Sequence, residues 1–190
     1  MYKACKTMQS AQRQHEILEC LLNMMRTERF DTISVCDICR EAGIPRKAFY
    51  RYFDTKEDMF DALVSQTMLE YEQFPGPYRE GDTRTTAKDT KKLFQFWYGK
   101  KELLDTLNAS GLCERMFYQI VRRSCAEKVG ASAALVKENA PALRTSTCFS
   151  ISGIFAVVLD WYHQGFPETP ESMASILQRL LTQPLYRGEE

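Results

Sequence analysis

The sequence predicts an all-α protein, for two reasons. Apolar residues recur every three or four positions along much of the chain, as on one face of a helix, and strand-like alternation never extends beyond a few residues. Several of these segments begin at residues that cap helices and end at glycine or proline. With 190 residues, 44% hydrophobic and 26% charged, the chain can form one domain, or a small domain joined to a larger one.

Charge and cysteine content limit the class of protein. The formal net charge is +0, although residues 1–53 carry nine basic against six acidic side chains. The seven cysteines are scattered and odd in number, so we expect reduced thiols rather than a disulfide framework. The most apolar run, 151–162, is shorter than the ~20 residues of a membrane span, and the N-terminus lacks the apolar segment of a secretion signal. We therefore expect a cytoplasmic protein without a membrane partner.

Spacing and caps predict the first two helices. Residues from about 10 to 28 carry an apolar stripe at helical intervals, formed by Ile17, Leu18, Leu21, Leu22, Met24 and Met25. The second helix begins at Ser34, because Asp37 three residues later completes a capping box. Gly43 ends it, since glycine readily adopts the left-handed conformation of a helix terminus.

A third short helix, from about 45 to 53, has two contrasting faces. Proline is tolerated in a first helical turn, so Pro45 marks its start. Phe49 and Phe53 share one face, because they are four residues apart. The outer rows pair Arg46 with Tyr50 and Lys47 with Arg51. Two short helices, a glycine turn and a basic second helix are typical of a helix-turn-helix, whose second helix enters the major groove of DNA. The alternative is a basic helix face that is merely solvated.

Residues 15–63 resemble the N-terminal domain of the tetracycline-repressor (TetR) family of transcriptional regulators. The positions that match the family pattern are Ile17, Leu18, Phe30, Ser34, Val35, Asp37, Ile38, Ala42, Gly43, Ile44, Tyr50, Tyr52, Phe53, Lys56 and Met59. The recognition helix departs from the pattern, since the family usually has Ser, a basic residue, Gly and Thr where this chain has residues 45–48. The resemblance therefore implies DNA binding but no particular DNA sequence.

The chemistry of the recognition helix assigns a role to each position. Arg46 and Lys47 lie in the first turn, where long cations pair with guanine, and Ala48 could touch a thymine methyl group. Tyr50 and Tyr52 resemble the phosphate-contacting pair of the family. Lys56 opens the next helix, which Thr55 and Asp58 cap, and is predicted to bind a phosphate. The predicted DNA surface is thus Ser34, Pro45, Arg46, Lys47, Ala48, Tyr50, Arg51, Tyr52 and Lys56.

The rest of the chain also reads as helices. A fourth helix from Lys56 to about Tyr71 leads to the proline- and glycine-rich loop 74–86. Segments 91–107, 112–129 and 141–166 follow as helices, and Thr169 with Pro170 starts a final one. The predicted division is 1–55 for a helix-turn-helix DNA-binding domain and 56–190 for a helical ligand-binding and dimerisation domain, the latter from a looser resemblance to the same family.

Two residue sets are predicted in this second domain. Its aromatic residues mostly form core, and a few side chains are expected to line an apolar ligand cavity: Trp97, Tyr118, Cys148 and His163. Small residues and an apolar stripe on the last two helices are expected to form the dimer interface: Gly153, Ala156, Met173, Ile176, Leu177 and Leu180. The effector that this cavity would bind is not identified by the sequence.

The predicted function is a DNA-binding regulator, in the form of a repressor that binds a palindromic operator as a homodimer and is released by a small, largely apolar ligand. One alternative is a relative of the same fold that acts through protein contacts as a coactivator. Another is a redox-responsive regulator that uses Cys36 and Cys39, whose spacing occurs in redox and zinc sites. No nucleophile with an adjacent base and no second cysteine pair is present in the sequence, so we expect neither an enzyme nor a metal or other cofactor.

Overall fold

The structure is a computed structural model that describes residues 7–76, 86–133 and 140–182. Within these ranges the regular structure is entirely helical, which confirms the predicted all-α class. The helices are α1 (Met8–Met24), α2 (Val35–Glu41), α3 (Arg46–Phe49), α4 (Lys56–Gln73), α5 (Thr86–Gly99), α6 (Lys101–Ala109), α7 (Cys113–Ala133), α8 (Ala140–His163) and α9 (Pro170–Thr182).

Most predicted helix ends are confirmed by their hydrogen bonds. Ser34 and Asp37 form the reciprocal capping box of α2, and Gly43 has a φ of 61°. At α4, the backbone N–H of Asp58 donates to Thr55 Oγ1 at 3.1 Å and that of Thr55 donates to Asp58 Oδ2 at 3.0 Å. Thr169 caps α9, whose first residue is Pro170, by accepting from the N–H of Ser172 at 3.2 Å. Local sequence therefore determines where these helices start.

Three predicted helices have different bounds in the structure. The first ends at Met24 rather than near residue 28, because the chain turns there through bonds such as Thr27 N to Met24 O. The third is four residues long, because its last turn tightens through bonds from residue i+3 to residue i, as between Tyr52 N and Phe49 O. Segment 91–107 is two helices, α5 and α6, which separate at Lys100.

The chain forms two compact units. The first comprises the chain up to Leu69 together with Glu102–Met116, and the second comprises Glu70–Lys101 and the chain from Phe117 onward. The predicted division between residues 55 and 56 separated a DNA-binding part from a ligand-binding and dimerisation part. That division by function stays a prediction. The packing adds a distant segment, α6 with the start of α7, to the unit that holds α1 to α3.

The distant segment completes the core of the first unit. The buried backbone N–H of Phe30 donates to Ser110 Oγ at 3.1 Å, across a separation of 80 residues. The Arg115 guanidinium lies 4.7 Å from the centre of the Phe60 ring and pairs with Glu57 at 2.5 Å. The buried apolar side chains that the segment supplies are Leu104, Leu107, Leu112, Cys113 and Met116. The helices of the helix-turn-helix therefore do not close their core alone.

The second unit is built on aromatic packing. Helix α9 packs along α5, and the Trp161 ring of α8 contacts Phe94 of α5 with a centroid distance of 5.3 Å. Gly165 and Phe166, with φ of 81° and 61°, turn the chain after α8. Phe166 is not a glycine, yet it adopts the left-handed conformation because its ring is buried 4.4 Å from that of Trp161.

Helix α8 is long, apolar and mostly uncovered. By length and composition alone the stretch Pro141–His163 could cross a membrane, and 11% of its most apolar part is buried within the chain. The sequence-based expectation that no stretch is long enough is corrected here, because it considered only the run 151–162 and the helix extends further. One such helix is weak evidence for a membrane span, and an apolar helix face can equally be covered by another protein surface.

Candidate nucleic-acid interface

The first turn of α2 and the turn after it hold the helix-turn-helix in place. The Ser34 hydroxyl accepts from the N–H of Asp37 at 3.2 Å and donates to the Asp37 carboxylate at 2.5 Å. Pro45 then opens α3 in an extended conformation, and α2 packs against α3. The hydrogen-bonding capacity of Ser34, which was predicted to face DNA, is therefore engaged within α2.

One face of α3 fixes the helix to the core. Phe49 and Phe53 have no exposed surface, and their ring centroids lie 5.6 Å apart. The Tyr50 ring meets the Phe49 ring edge-on at 5.5 Å, and the tyrosine remains 40% exposed. Because these rings are packed, the opposite face of α3 has a defined direction toward solvent.

The opposite face carries the cations. Arg46 and Lys47 are exposed, and the next residue, Ala48, is half-buried. Arg46 Nη2 donates to the Tyr50 hydroxyl at 3.3 Å, and this hydrogen bond raises the pKa of Arg46, so the guanidinium stays charged. Arg51, also exposed, lies 6.0 Å from the centre of the half-buried Tyr52 ring. The structure thus pairs Arg46 with Tyr50 and Arg51 with Tyr52, and it leaves Lys47 exposed.

Lys56 does not share this arrangement. Its ammonium donates to the carbonyl oxygens of Phe30 and Ile33, the latter at 2.7 Å, and to that of Asp31 at 3.2 Å. It also lies 4.5 Å from the centre of the Phe30 ring. An ammonium has three N–H donors, and three carbonyls accept from this one. The structure therefore gives Lys56 an internal partner set where the sequence predicted a phosphate contact, and nothing in the local sequence signals those carbonyls.

The predicted ligand-lining residues are not gathered into one lining. Trp97 is buried, with its ring 4.7 Å from that of Phe117, whereas Tyr118 is 64% exposed and His163 lies on the surface. Cys148 is half-buried.

The predicted dimer residues divide into two groups. Met173 and Leu177 are 8% and 5% exposed, because they are packed inside their own unit. Ile176 is half-buried, while Gly153, Ala156 and Leu180 are exposed. Part of the apolar stripe of α9 is thus covered within one chain while Leu180 is left exposed, and the assignment of these residues to a dimer interface stays a prediction.

Cysteine chemistry at the Cys36–Cys39 spacing has little support in the structure. Cys36 is exposed and Cys39 is buried, and burial raises the pKa of the Cys39 thiol. A thiol with a raised pKa is a poor nucleophile. Among the residues that the structure describes, no group of three or more His, Cys, Asp or Glu side chains could hold a metal ion.

Two family models match the chain, one in its N-terminal part and one in its C-terminal part. Residues 17–63 match the model described as bacterial regulatory proteins of the tetR family. Residues 85–183 match the model described as a transcriptional regulator C-terminal region. Together they cover α2, α3 and most of the other helices.

Individual relatives are similar in sequence over a short part and in fold over nearly all of the chain. The nucleoid occlusion factor SlmA of Haemophilus influenzae is 33% identical over 54 residues, which are 28% of this chain and 25% of that protein. Lin0861 from Listeria innocua has a TM-score of 0.68 at 15% identity, over 95% of this chain and 94% of the other. A TetR-like transcriptional regulator from Rhodococcus sp. RHA1 has a TM-score of 0.53 at 16% identity, over 90% and 97%. At these identities, the solved structures show a shared fold.

Proposed function

Because the chain belongs to the TetR family of bacterial transcriptional regulators, we propose that it binds a palindromic operator as a homodimer and represses transcription until a ligand releases it. The observation that carries this proposal is the set of exposed cations in α3 and the turn after it: Arg46 and Lys47 lie in α3, and Arg51 lies in the turn beside Tyr50 and Tyr52. A short helix with one buried aromatic face and one cationic face suits insertion into the major groove. The family's regulators are not enzymes, and the proposal includes no catalytic step.

The contacts divide between base reading and phosphate binding. Arg46 and Lys47 lie in the first turn of α3, where a groove-bound helix directs its side chains at base edges. Tyr50, Arg51 and Tyr52 follow these two residues and would bind phosphates of the DNA backbone. Lys56 is removed from this set, because its ammonium donates to three carbonyls of its own unit.

The dimer is proposed to form through α8. A two-fold operator requires two recognition helices about 34 Å apart, so the protein must pair with a second copy. Helix α8 is mostly exposed although it is apolar, and Gly153 and Ala156 offer small residues on which another helix can pack closely. Leu180 of α9 is 42% exposed and would extend the same kind of surface. The proposal therefore assigns the exposed face of α8 to a second copy of the chain and not to lipid.

The release step is proposed to involve a small apolar molecule bound in the second unit. Support comes from its aromatic composition, in which the rings of buried Trp97, buried Phe117 and half-buried Phe155 form one cluster. A ligand changes operator affinity only by binding one of two states more tightly, typically by ~1 to 3 kcal/mol. The test is a thermal-shift screen of apolar compounds followed by operator binding. Compounds that raise Tm without changing operator affinity would show binding without regulation.

DNA binding is tested by selecting duplexes from a random pool with the full-length protein, then measuring affinity by fluorescence anisotropy. Selected sequences should be palindromic, and Lys47→Met should lose preference for them. Lys128→Met, which removes an exposed lysine of α7, is the matched control and should leave both the affinity and the sequence preference unchanged. Failure of the wild-type protein to enrich any sequence would reject the proposal. Repression is then tested by transcription in vitro from a promoter that contains the selected site.

The dimer is tested by light scattering with a pair of glutamate variants. Ala156→Glu places a charge on the exposed face of α8 and should yield monomers that still melt cooperatively, because that side chain has no core role. Leu177→Glu should instead unfold the second unit, because Leu177 is buried in it. A stable Ala156→Glu dimer would place the interface elsewhere.

A further inference from the structure

A polar groove lies beside the recognition helix, within the first unit. It has a volume of about 490 Å³ and separates the first half of α1 from the turn that follows α3. Its lining consists of Gln9, Ser10, Gln12, Arg13, Glu16, Arg51 and Tyr52. Of these, only Arg51 and Tyr52 belong to the DNA surface that the sequence predicts. The other lining residues all lie on α1.

The groove has two guanidinium groups and one carboxylate. Arg13 Nη1 donates to Glu16 Oε2 at 2.8 Å, and this hydrogen bond lowers the pKa of Glu16, which is therefore ionised at neutral pH. Arg51 has no carboxylate partner in the part of the chain that the structure describes. The charged side chains of the groove thus leave one net positive charge, next to the cationic face of α3.

The donors of the groove are not exhausted by its internal contacts. A guanidinium carries five N–H donors, and the pair with Glu16 engages one nitrogen of Arg13. The Ser10 hydroxyl accepts from the Thr7 hydroxyl at 2.9 Å, which leaves its own proton available to donate. Arginine, serine, glutamine and tyrosine are the side chains that proteins use to bind DNA phosphates.

We propose that this groove binds a backbone phosphate of the operator, so that α1 contributes a DNA contact beyond those of α3. The inference rests on the proposed function and names a further part of the same interface. Arg51 and Tyr52 follow α3 directly in sequence, so the groove continues the surface that α3 presents. The hydrogen bond to Glu16 holds the Arg13 side chain in place. The phosphate binds on the side away from the Glu16 carboxylate, through the remaining donors of Arg13 and Arg51.

The test removes one charge from the groove and one from elsewhere on the same unit. Arg13→Gln is compared with Arg26→Gln, because Arg26 is an exposed arginine beyond the other end of α1, paired with Glu102 at 3.3 Å. Affinity for a selected duplex is measured between about 50 and 200 mM salt. Each phosphate contact adds about 0.9 to the salt slope, so wild-type affinity should fall about 3- to 4-fold more than that of Arg13→Gln across this range. Arg26→Gln should follow the wild type.

A second measurement locates the contact on the DNA. Duplexes with a single neutral methylphosphonate are scanned along the operator; one position on each half-site should weaken wild-type binding and have no effect on Arg13→Gln. Circular dichroism melts check that each variant is folded. If Arg13→Gln and Arg26→Gln have equal salt slopes and no methylphosphonate position depends on Arg13, the groove does not bind phosphate, while operator binding itself stands. Absence of wild-type binding to any duplex would instead reject the proposed function.

Discussion

Replacing Lys56 with methionine separates an internal role for this residue from a phosphate contact. Methionine is unbranched and of similar length, so it retains packing against the Phe30 ring while it removes the ammonium. Three carbonyl oxygens then lose a charged donor: those of Phe30 and Ile33 are partly buried, and that of Asp31 is exposed and can bind water. The change therefore acts mainly through the two partly buried carbonyls.

The magnitude follows from those contacts. Each partly buried carbonyl left without a donor costs about 1 to 3 kcal/mol, and loss of the cation over Phe30 adds about 0.5 to 1 kcal/mol. Since water reaches part of this site, we expect a total of about 2 to 4 kcal/mol. For a chain of this size, 1 kcal/mol corresponds to about 2–4 °C, so the Tm of the Lys56→Met variant should fall by roughly 5–15 °C.

The assay is thermal unfolding followed by circular dichroism, combined with the salt dependence of duplex binding. Arg51→Met is the control: Arg51 is exposed and is proposed to bind a phosphate, so the Tm of this variant should be that of the wild type while its salt slope falls by about one contact. For Lys56→Met we expect the reverse, a lower Tm with an unchanged slope below the transition. A wild-type Tm combined with a lower slope would show that Lys56 binds phosphate and that the internal assignment is wrong.

Three further predictions concern other sites. The hydrogen bonds from Ser34 lower the pKa of Asp37 below its ordinary 3.8, so the carboxylate stabilises the fold above that pH and loses this effect as the pH falls through the folded pKa. The Tm of Asp37→Asn should therefore be lower than that of the wild type at pH 7, and the difference should shrink in acid. A difference that does not change with pH would contradict this linkage. Burial raises the pKa of Cys113 to about 12, whereas Cys36 is exposed. Peptide mapping after brief maleimide treatment of the native protein should therefore find Cys36 labelled and Cys113 unlabelled. Early labelling of Cys113 would mean that the first unit opens readily. In Phe166→Gly, relief of a left-handed backbone gains about 1 kcal/mol and loss of a buried ring costs about 3 to 5 kcal/mol, so the variant should melt lower, and a higher Tm would show that strain outweighs packing.

The sequence predicted the features that depend on near neighbours in the chain. The capping boxes at Ser34 and Thr55, the left-handed Gly43 and the start of α9 at Pro170 each need only a few consecutive residues. The two faces of α3 also follow from spacing, since Phe49 and Phe53 are buried and Arg46 is exposed. Short-range steric and hydrogen-bonding preferences determine these features, so one sequence is sufficient to find them.

Features that depend on distant residues were missed. The carbonyls that Lys56 binds lie 23 to 26 positions earlier in the chain, and no periodic pattern connects them to it. The apolar stripe of α9 was correctly located, but sequence could not show that Met173 and Leu177 are covered by their own unit. The groove beside α1 likewise depends on how α1 meets the turn after α3. Such contacts join residues that are far apart in the chain, and they leave no pattern among neighbouring residues from which they could be predicted.

The bond between the Phe30 backbone and Ser110 has a consequence for the modularity of this protein. A fragment that ends with α4 would contain every residue of the helix-turn-helix but would leave the buried N–H of Phe30 without its acceptor. The Phe60 ring would also lose the guanidinium of Arg115. Chimaeras that join this DNA-binding part to the ligand-binding part of another regulator therefore need to include residues 102–116. The unit that can be exchanged as a whole is discontinuous in sequence, so recombination at one junction would divide it.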